Sequence, residues 1–405
     1  MRRPSPRSLA VAALLTVLSA YGPISTDVYL PSLPDMMRVF NASVSDVQMT
    51  LSVFITGLAV GMLVHGPLSD RYGRRRVLLI GGVIYCLGSL ACLFAPSIGW
   101  LIAGRFVQAI GACAGPVVAR AVVRDVYDRQ DAARLMSYMA SAVALAPAIG
   151  PLIGGWLHSA FGWQANFVAM VIFGVIVLLA SALLLEETNR QPSPQSLHPG
   201  RLLLTYGRLL RSPLFLGYGL VIGFTFSGLF SFVSGAAFVV ISLLGVSEHH
   251  FGLVFACVIA GFMSGAFTSG RLSHRLGLKR TIAIGCLGLV LFGACGALLA
   301  AVDATHAPGL WGLASVVAPT AGYFFCSALV LPNSTASAMV PYGAVAGAAS
   351  ALLGFVQMAI GAIAGVIVGL LFSTSALPLM AQIAVCGTLA LVAFLGLVHR
   401  HEKTA

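Results

Sequence analysis

Apolar residues run along this chain in long blocks, separated by short clusters of arginine, glycine, proline and acidic residues. The blocks fall at roughly 9–37, 46–69, 77–95, 98–120, 135–157 and 164–185. They resume at 214–243, 249–271, 281–301, 309–332, 343–372 and 376–398. A helix needs about 20 residues to cross the hydrocarbon layer, and helices satisfy every backbone group within one segment. The pattern predicts an all-α polytopic membrane protein with twelve spans. Pro23, Pro116, Pro147, Pro151 and Pro319 fall inside spans, which is tolerable where packing, water or a cavity satisfies the freed backbone groups.

Composition agrees. Of 405 residues, 59% are hydrophobic and 9% charged, against about 25% charged in soluble proteins. A soluble enzyme, a disordered chain and a secreted disulfide scaffold are excluded. The eight cysteines all fall in apolar stretches without CxxC spacing. They read as small buried hydrophobes, with neither disulfides nor zinc ligands indicated. The nine histidines form no metal constellation, and neither a metal nor a cofactor is expected. His65 has packing as its expected role.

The net charge of +11 would suggest nucleic acid in a soluble protein. The positions point to topology instead. Basic residues cluster before the first span, after the second, fourth, sixth and eighth, and in the tail. These clusters hold 21 of the 23 Lys and Arg; Arg38 is opposite and Arg105 lies inside span 4. Cytoplasmic loops collect basic residues, so both termini are expected in the cytoplasm and no nucleic-acid partner is expected. The start, with Arg2 to Arg7 and Leu18-Ser19-Ala20, has some features of a signal peptide. The chemistry of residues 21–34 argues for a retained first span.

The polar stretch 186–213 suits a linker between two six-helix bundles, 1–185 and 214–399, with a tail at 400–405. An internal repeat supports the division. Gly66, Leu68, Ser69, Arg71 and Gly73 recur as Gly270, Leu272, Ser273, Arg275 and Gly277, all displaced by 204 residues. Duplicated bundles of this kind are common in secondary transporters.

The most specific stretch is Gly66-Pro-Leu-Ser-Asp70-Arg71-Tyr-Gly73-Arg74-Arg75-Arg76. Gly66 is expected to let helices approach closely, and Gly73 to permit a tight turn. Asp70 is placed to pair with one of the arginines, or with a helix amino terminus of the other half, and so latch one conformation. This stretch resembles the signature loop of the major facilitator superfamily. Arg105-Phe-Val-Gln108-Ala-Ile-Gly111 is similar to the Arg-x-x-Gln-Gly-x-Gly element of its twelve-span drug:proton antiporters, with Ala109 at the first glycine. Pro147 with Gly150-Pro151-Leu-Ile-Gly154-Gly155 resembles their antiporter motif, with Ala146 at its leading glycine. Asp27-Val-Tyr29-Leu-Pro31-Ser-Leu-Pro34 resembles the bicyclomycin- and chloramphenicol-resistance (Bcr/CflA-type) subgroup. The resemblance implies the major facilitator fold, a multi-pass position in a bacterial inner membrane and a monomer exchanging small amphipathic compounds for protons across the bilayer.

Two charges remain inside the spans. Arginine within a membrane is costly and points to function, and Arg105 cannot give up its proton. It is expected to act as a fixed charge near a carboxylate or to touch substrate. Gln108, one turn on, suggests a cavity-facing stripe. Asp27 is the only acid within a probable span. Proton occupancy of a carboxyl group in a low-dielectric cavity can change as access switches sides. Asp27 and Arg105 are therefore the expected proton-coupling residues, with Tyr29 and Gln108 beside the substrate. Some relatives carry a second acid two turns earlier, where this chain has Ser19, which increases the demand on Asp27.

In the second half no Asp, Glu, Lys or Arg sits deep in a span. Phe224, Phe226, Phe230, Tyr323, Phe325, Phe355, Gln357 and Met358 are its candidate substrate contacts, because aromatic and methionine surfaces adapt to varied ligands. A proton-coupled exporter is the favoured reading. A carrier of a metabolite such as a sugar, amino acid, peptide or organic acid is the alternative. An ATP-driven pump lacks a phosphate-cradling loop, and an enzyme lacks a catalytic motif.

Overall fold

A computed structural model describes residues 7–189, 199–302, 305, 310–372 and 375–400. Arg2, Arg3, Arg190, Asp303, Glu402, Lys403, most of the polar part of the linker and all of the tail beyond Arg400 lie outside the described residues. The rest is helical: α1 Leu9–Ser19, α2 Tyr21–Asp27, α3 Leu33–Phe40, α4 Val44–Tyr72, α5 Arg74–Leu93, α6 Ile98–Val126, α7 Arg129–Phe161 and α8 Gln164–Leu184. There follow α9 Pro199–Arg211, α10 Pro213–Ala237, α11 Glu248–Leu276, α12 Leu278–Ala301, α13 Leu310–Met339, α14 Ala346–Leu371 and α15 Leu377–Ala393. Eleven helices, some extended by a further turn, are long and apolar enough to span a membrane, and the bent pair α1 with α2–α3 makes twelve. Helix α9 falls within the stretch read as a linker, so that stretch is partly ordered as helix.

The first span breaks where its prolines require. Pro23 has no N–H for the Ser19 carbonyl and its ring crowds that carbonyl. The helix stops at Ser19, Ala20 leaves helical geometry (φ −90°, ψ 3°), and the two pieces meet at 47°. Pro31 likewise cannot bond the Asp27 carbonyl. The chain passes through a 3₁₀ turn at Leu30–Ser32 before α3 resumes.

Helix ends are written in the sequence. Ser43 and Asp46 form a reciprocal capping box on α4. Ser97 and Asp128 cap α6 and α7 through their side chains. Gly73 and Gly277, the repeated glycines, both hold positive φ (97° and 80°) at the turns after α4 and α11.

The helices pack as two six-helix bundles, joined mainly along α4 with α14 and α7 with α11. Both seams use glycine. A Cβ at Gly365 would lie 2.6 Å from Ser52 Oγ, and one at Gly369 would lie 2.9 Å from Gln48 Oε1. A Cβ at Gly155 would lie 2.7 Å from the Glu248 carbonyl oxygen, and one at Gly252 would lie 2.6 Å from Leu152 Cδ2. Gln48 Nε2 also donates to the Ser234 carbonyl across the seam (3.4 Å). Along α7 and α11 these contacts belong to the end opposite the arginine-rich loops, called the far end below. Toward the basic end both helices also carry exposed side chains on the faces that pack farther along, among them Met136, Val143 and Met263. The bundles are therefore closed at the far end and part toward the basic end along this seam.

Six of the cysteines are buried, but Cys257 and Cys295 are exposed. Both lie on the bundle's outer apolar faces, among neighbours such as Leu253 and Leu291, where an apolar stretch meets lipid instead of protein.

Candidate functional site

Asp27 ends α2, just before the interrupted backbone, and is buried at 3% exposure. Thr26 Oγ1 donates to its Oδ1 (3.1 Å). Its Oδ2 has no hydrogen-bond partner. A buried polar atom left unpaired is costly, so this oxygen is a place for a proton or a ligand.

Helix α7 brings the glycine–proline motif against this acid. A Cβ at Gly150 would lie 2.8 Å from Asp27 Cβ, and one at Gly154 would overlap the Val28 carbonyl oxygen. One face of the motif thus seats the Asp27–Val28 backbone, while Gly155 meets α11 of the other bundle. Pro147 and Pro151 both lie within α7.

Arg105 is fully buried. Its Nη1 donates to the Ser25 carbonyl (3.0 Å) and to Gln108 Oε1 (2.6 Å). Its guanidinium lies over two rings, 4.1 Å from the Phe54 centroid and 4.9 Å from that of Tyr29. Among the described residues no acid comes within 4.0 Å of it. The cation is held by a carbonyl, an amide and two aromatic faces; the carbonyl belongs to Ser25, two residues before Asp27 in the chain, but the cation is not paired with the acid.

Gln108 is also fully buried, donating to Ser89 Oγ (2.8 Å) and lying 3.4 Å from Met170 Sδ. It faces the interior of the first bundle, where the sequence suggested a cavity-facing stripe. Tyr29, fully buried too, exchanges a hydrogen bond with Thr50 (2.8 Å).

At the basic end, Arg74 is the hub. It pairs with Asp70, with Asp125 (Nε to Oδ2, 2.9 Å) and with Ser69 Oγ (2.7 Å). Asp70 is thus paired within its own bundle. Glu187 accepts from the Arg74 amide (2.8 Å) and the Arg75 amide (3.2 Å), capping α5 where its helix dipole favours an anion. Arg75 donates to the carbonyls of Leu185 (3.0 Å) and Ala182 (2.9 Å). Arg71 is exposed and stacks on Tyr72 at 5.3 Å. Gly73 does more than turn the chain, because a Cβ there would run into the Glu187 carboxylate. Gly66 does not act as expected: open space lies where its side chain would be, so it brings no helices together.

The sequence profile of the Major Facilitator Superfamily matches residues 9–366. The chain belongs to that superfamily. It is 35% identical to the "Uncharacterized MFS-type transporter YdgK" of Bacillus subtilis, over 96% of this chain and 95% of that protein. It is 29% identical to a bicyclomycin resistance protein homolog of Haemophilus influenzae, over 96% of each chain. It is also 29% identical to multidrug resistance protein D of Escherichia coli K12, over 87% of this chain and 86% of that one. In fold it resembles the Escherichia coli xylose transporter XylE (TM-score 0.71, 14% identity, 96% and 97% coverage). A bacterial homologue of the lysosomal transporter Spinster is similar (TM-score 0.69, 17% identity, 98% and 97% coverage). As a superfamily member, the chain is a multi-pass membrane transporter of small molecules and not an enzyme.

In this superfamily member the second-bundle candidates divide in two. Phe226 and Phe230 stack (centroids 6.1 Å apart) against Gly361 and Gly365 of α14. Phe224, Phe355, Gln357 and Met358, on the same two helices, are half-buried. Tyr323 belongs to the bundle core, 1% exposed, its ring against Gly228 and its hydroxyl without a partner. Phe325 is half-buried on α13, its carbonyl against Gly265 of α11.

Sequence reasoning missed several partners. Ser25 and Tyr85 share a hydrogen bond (2.8 Å), and Ser89 donates to the Tyr85 carbonyl (2.8 Å), so the Arg105–Gln108 pair sits in a continuous polar network. Ser32, His158 and Asn166 form a second cluster at the far end. Small polar residues in apolar runs gave the only signal.

Proposed function

We propose that this chain is a proton-coupled efflux antiporter for small amphipathic compounds of the chloramphenicol and bicyclomycin kind. It acts as a monomer in a bacterial inner membrane, with both termini in the cytoplasm. One observation carries the reading: Asp27, the one buried acid among the described residues, has one carboxyl oxygen unpartnered and is seated on Gly150 of the glycine–proline motif. Relatives named for bicyclomycin and multidrug resistance support the substrate class.

Asp27 exchanges the coupling proton at Oδ2, while Thr26 holds Oδ1. Arg105 is a fixed cation that keeps the α2 backbone in place through the Ser25 carbonyl; Gln108 and Tyr29 hold the cation instead of touching drug. Phe224, Phe226, Phe230, Phe355, Gln357 and Met358 offer apolar, amide and thioether contacts between the bundles, with Tyr323 and Phe325 behind them. The basic end, open along the α7–α11 seam, is the loading side. The Asp70–Arg74–Asp125 cluster keeps the first bundle rigid as it rocks against the second.

The test is efflux of a compound panel from an efflux-deficient host and from everted vesicles with an imposed pH gradient. Asp27→Asn should abolish gradient-driven efflux while the protein stays folded. Unchanged gradient-driven efflux by that variant would sink the assignment.

A further inference from the structure

The far end carries a cluster that the coupling site does not use. His158, on the last turns of α7, is 7% exposed. Its Nε2 lies 3.0 Å from Glu248 Oε2, at the start of α11 in the other bundle. Its Nδ1 lies 3.2 Å from Ser32 Oγ, which Asn166 Nδ2 also approaches at 2.8 Å. One imidazole therefore ties α7, the 3₁₀ turn after Asp27 and the opposite bundle together where the bundles are closed.

We propose that His158 and Glu248 form a proton-operated latch across the far end, taking a proton from the solution there and favouring closure. Neutral imidazole can donate Nε2–H to the carboxylate. Imidazolium adds a full charge pair at the same distance, in a mostly buried setting. Opening this end separates α7 from α11 and breaks the pair. A proton that binds better in the closed state must shift the population toward it. It binds and leaves on the same side, so it biases the cycle without being carried through. This proposal rests on the alternating-access reading above and adds a second proton site to it.

Among the described titratable groups at this end, His158 and Glu248 are the pair that crosses between the bundles. Asp35 and Arg38 on α3 pair with each other at 2.7 Å. Asp46 caps α4 through Ser43. Of the histidines beside Glu248, His250 shares a hydrogen bond with Ser247 (2.7 Å) and His249 packs edge-on to His250. Asn166 of α8 and Ser32 of the first span bring no charge.

The test measures the far-end distance between spin labels on the full-length chain in lipid nanodiscs. Labels go at Val39→Cys and Val302→Cys, both exposed, with Cys257→Ser and Cys295→Ser removing the exposed thiols. Between about pH 5.5 and about pH 8, the open fraction should rise at least about threefold. His158→Gln and Glu248→Gln should each flatten that response, and the double variant should add nothing further. Thermal unfolding checks that each variant is folded, and Glu248, partly exposed, provides the safer substitution. An unmodified chain whose distances ignore pH, or a folded His158→Gln that keeps the full response, overturns the latch. Asp27→Asn should keep the response; its loss would place the sensing at Asp27 and also overturn the proposal. Gradient-driven efflux surviving in Asp27→Asn would instead remove the antiporter reading and leave these distances as a separate test.

Discussion

Gly150 and Asp27 face each other so closely that a single methyl group at Gly150 would come within 2.8 Å of the Asp27 Cβ. The acid of the first span and the small-residue surface of the fifth are one unit. Gly150→Ala should therefore shift the pH at which efflux is half-maximal, because it moves the carboxyl group directly. Gly154→Ala should be worse, since its methyl meets the Val28 backbone and no side chain can swing away. Overpacking of this kind costs about 1–3 kcal/mol. Efflux rates and thermal unfolding of both variants, side by side, provide the check.

Arg105→Lys should not be conservative. Lysine lacks the planar group that lies over Phe54 and Tyr29 while donating to Ser25 and Gln108. Efflux should fall at least about tenfold, roughly 1.4 kcal/mol in the rate-limiting barrier. Arg105→Ala should also lower the unfolding temperature, because it leaves the Gln108 carbonyl oxygen without its donor. Equal rates for Arg105→Lys and the parent would show that only the charge matters.

Gly73→Ala combines two penalties: a left-handed φ of 97° and a collision with Glu187. The backbone strain alone costs about 1–3 kcal/mol. Glu187→Gln keeps the shape and weakens only the charge-assisted cap, so it should cost less, about 1 kcal/mol. Thermal melts in one detergent should rank the parent first, Glu187→Gln second and Gly73→Ala last.

Asp128 lies outside the spans and caps α7, accepting from the amides of Asp131 (3.0 Å) and Gln130 (3.1 Å). These bonds, that from Asp131 foremost, hold its carboxyl below the usual carboxylate range. With the folded value below the unfolded one, the cap's contribution is complete above about pH 3.9. It disappears as pH falls through the lower folded value. Amide exchange at Gln130 and Asp131, corrected for intrinsic rates, should accelerate in that acid window. Asp128→Asn, which caps without titrating, should remove the pH dependence.

The fold was legible because lipid imposes one demand: long apolar runs must be helices. The positions of Asp27, Arg105 and the glycines of α7 could be read for the same reason, as departures from an apolar background. What could not be read was direction. Nothing in Arg105-x-x-Gln108 says that both side chains turn into their own bundle, since that depends on Ser89 and Met170 from other helices. Gly66 and Gly73 look equivalent in the loop, yet only Gly73 has a neighbour in contact. His158 was invisible because its partners, Ser32 and Glu248, lie 126 residues before and 90 residues after it in the chain.

On the proposed proton-coupled cycle, the break at Ala20 sets how much of the molecule must move for Asp27 to change the side it faces. The piece carrying the acid is only seven residues long, about 10 Å of helix. An uninterrupted rod could turn only by displacing every neighbour along the membrane. A two-turn piece, jointed at one residue before it and followed by a 3₁₀ turn, can turn with the α7 surface that seats it while the rest of the first span stays put. The proposed cycle then asks the bundle to stay stiff where it bears on the lipid while one short piece turns its carboxyl group toward either solution.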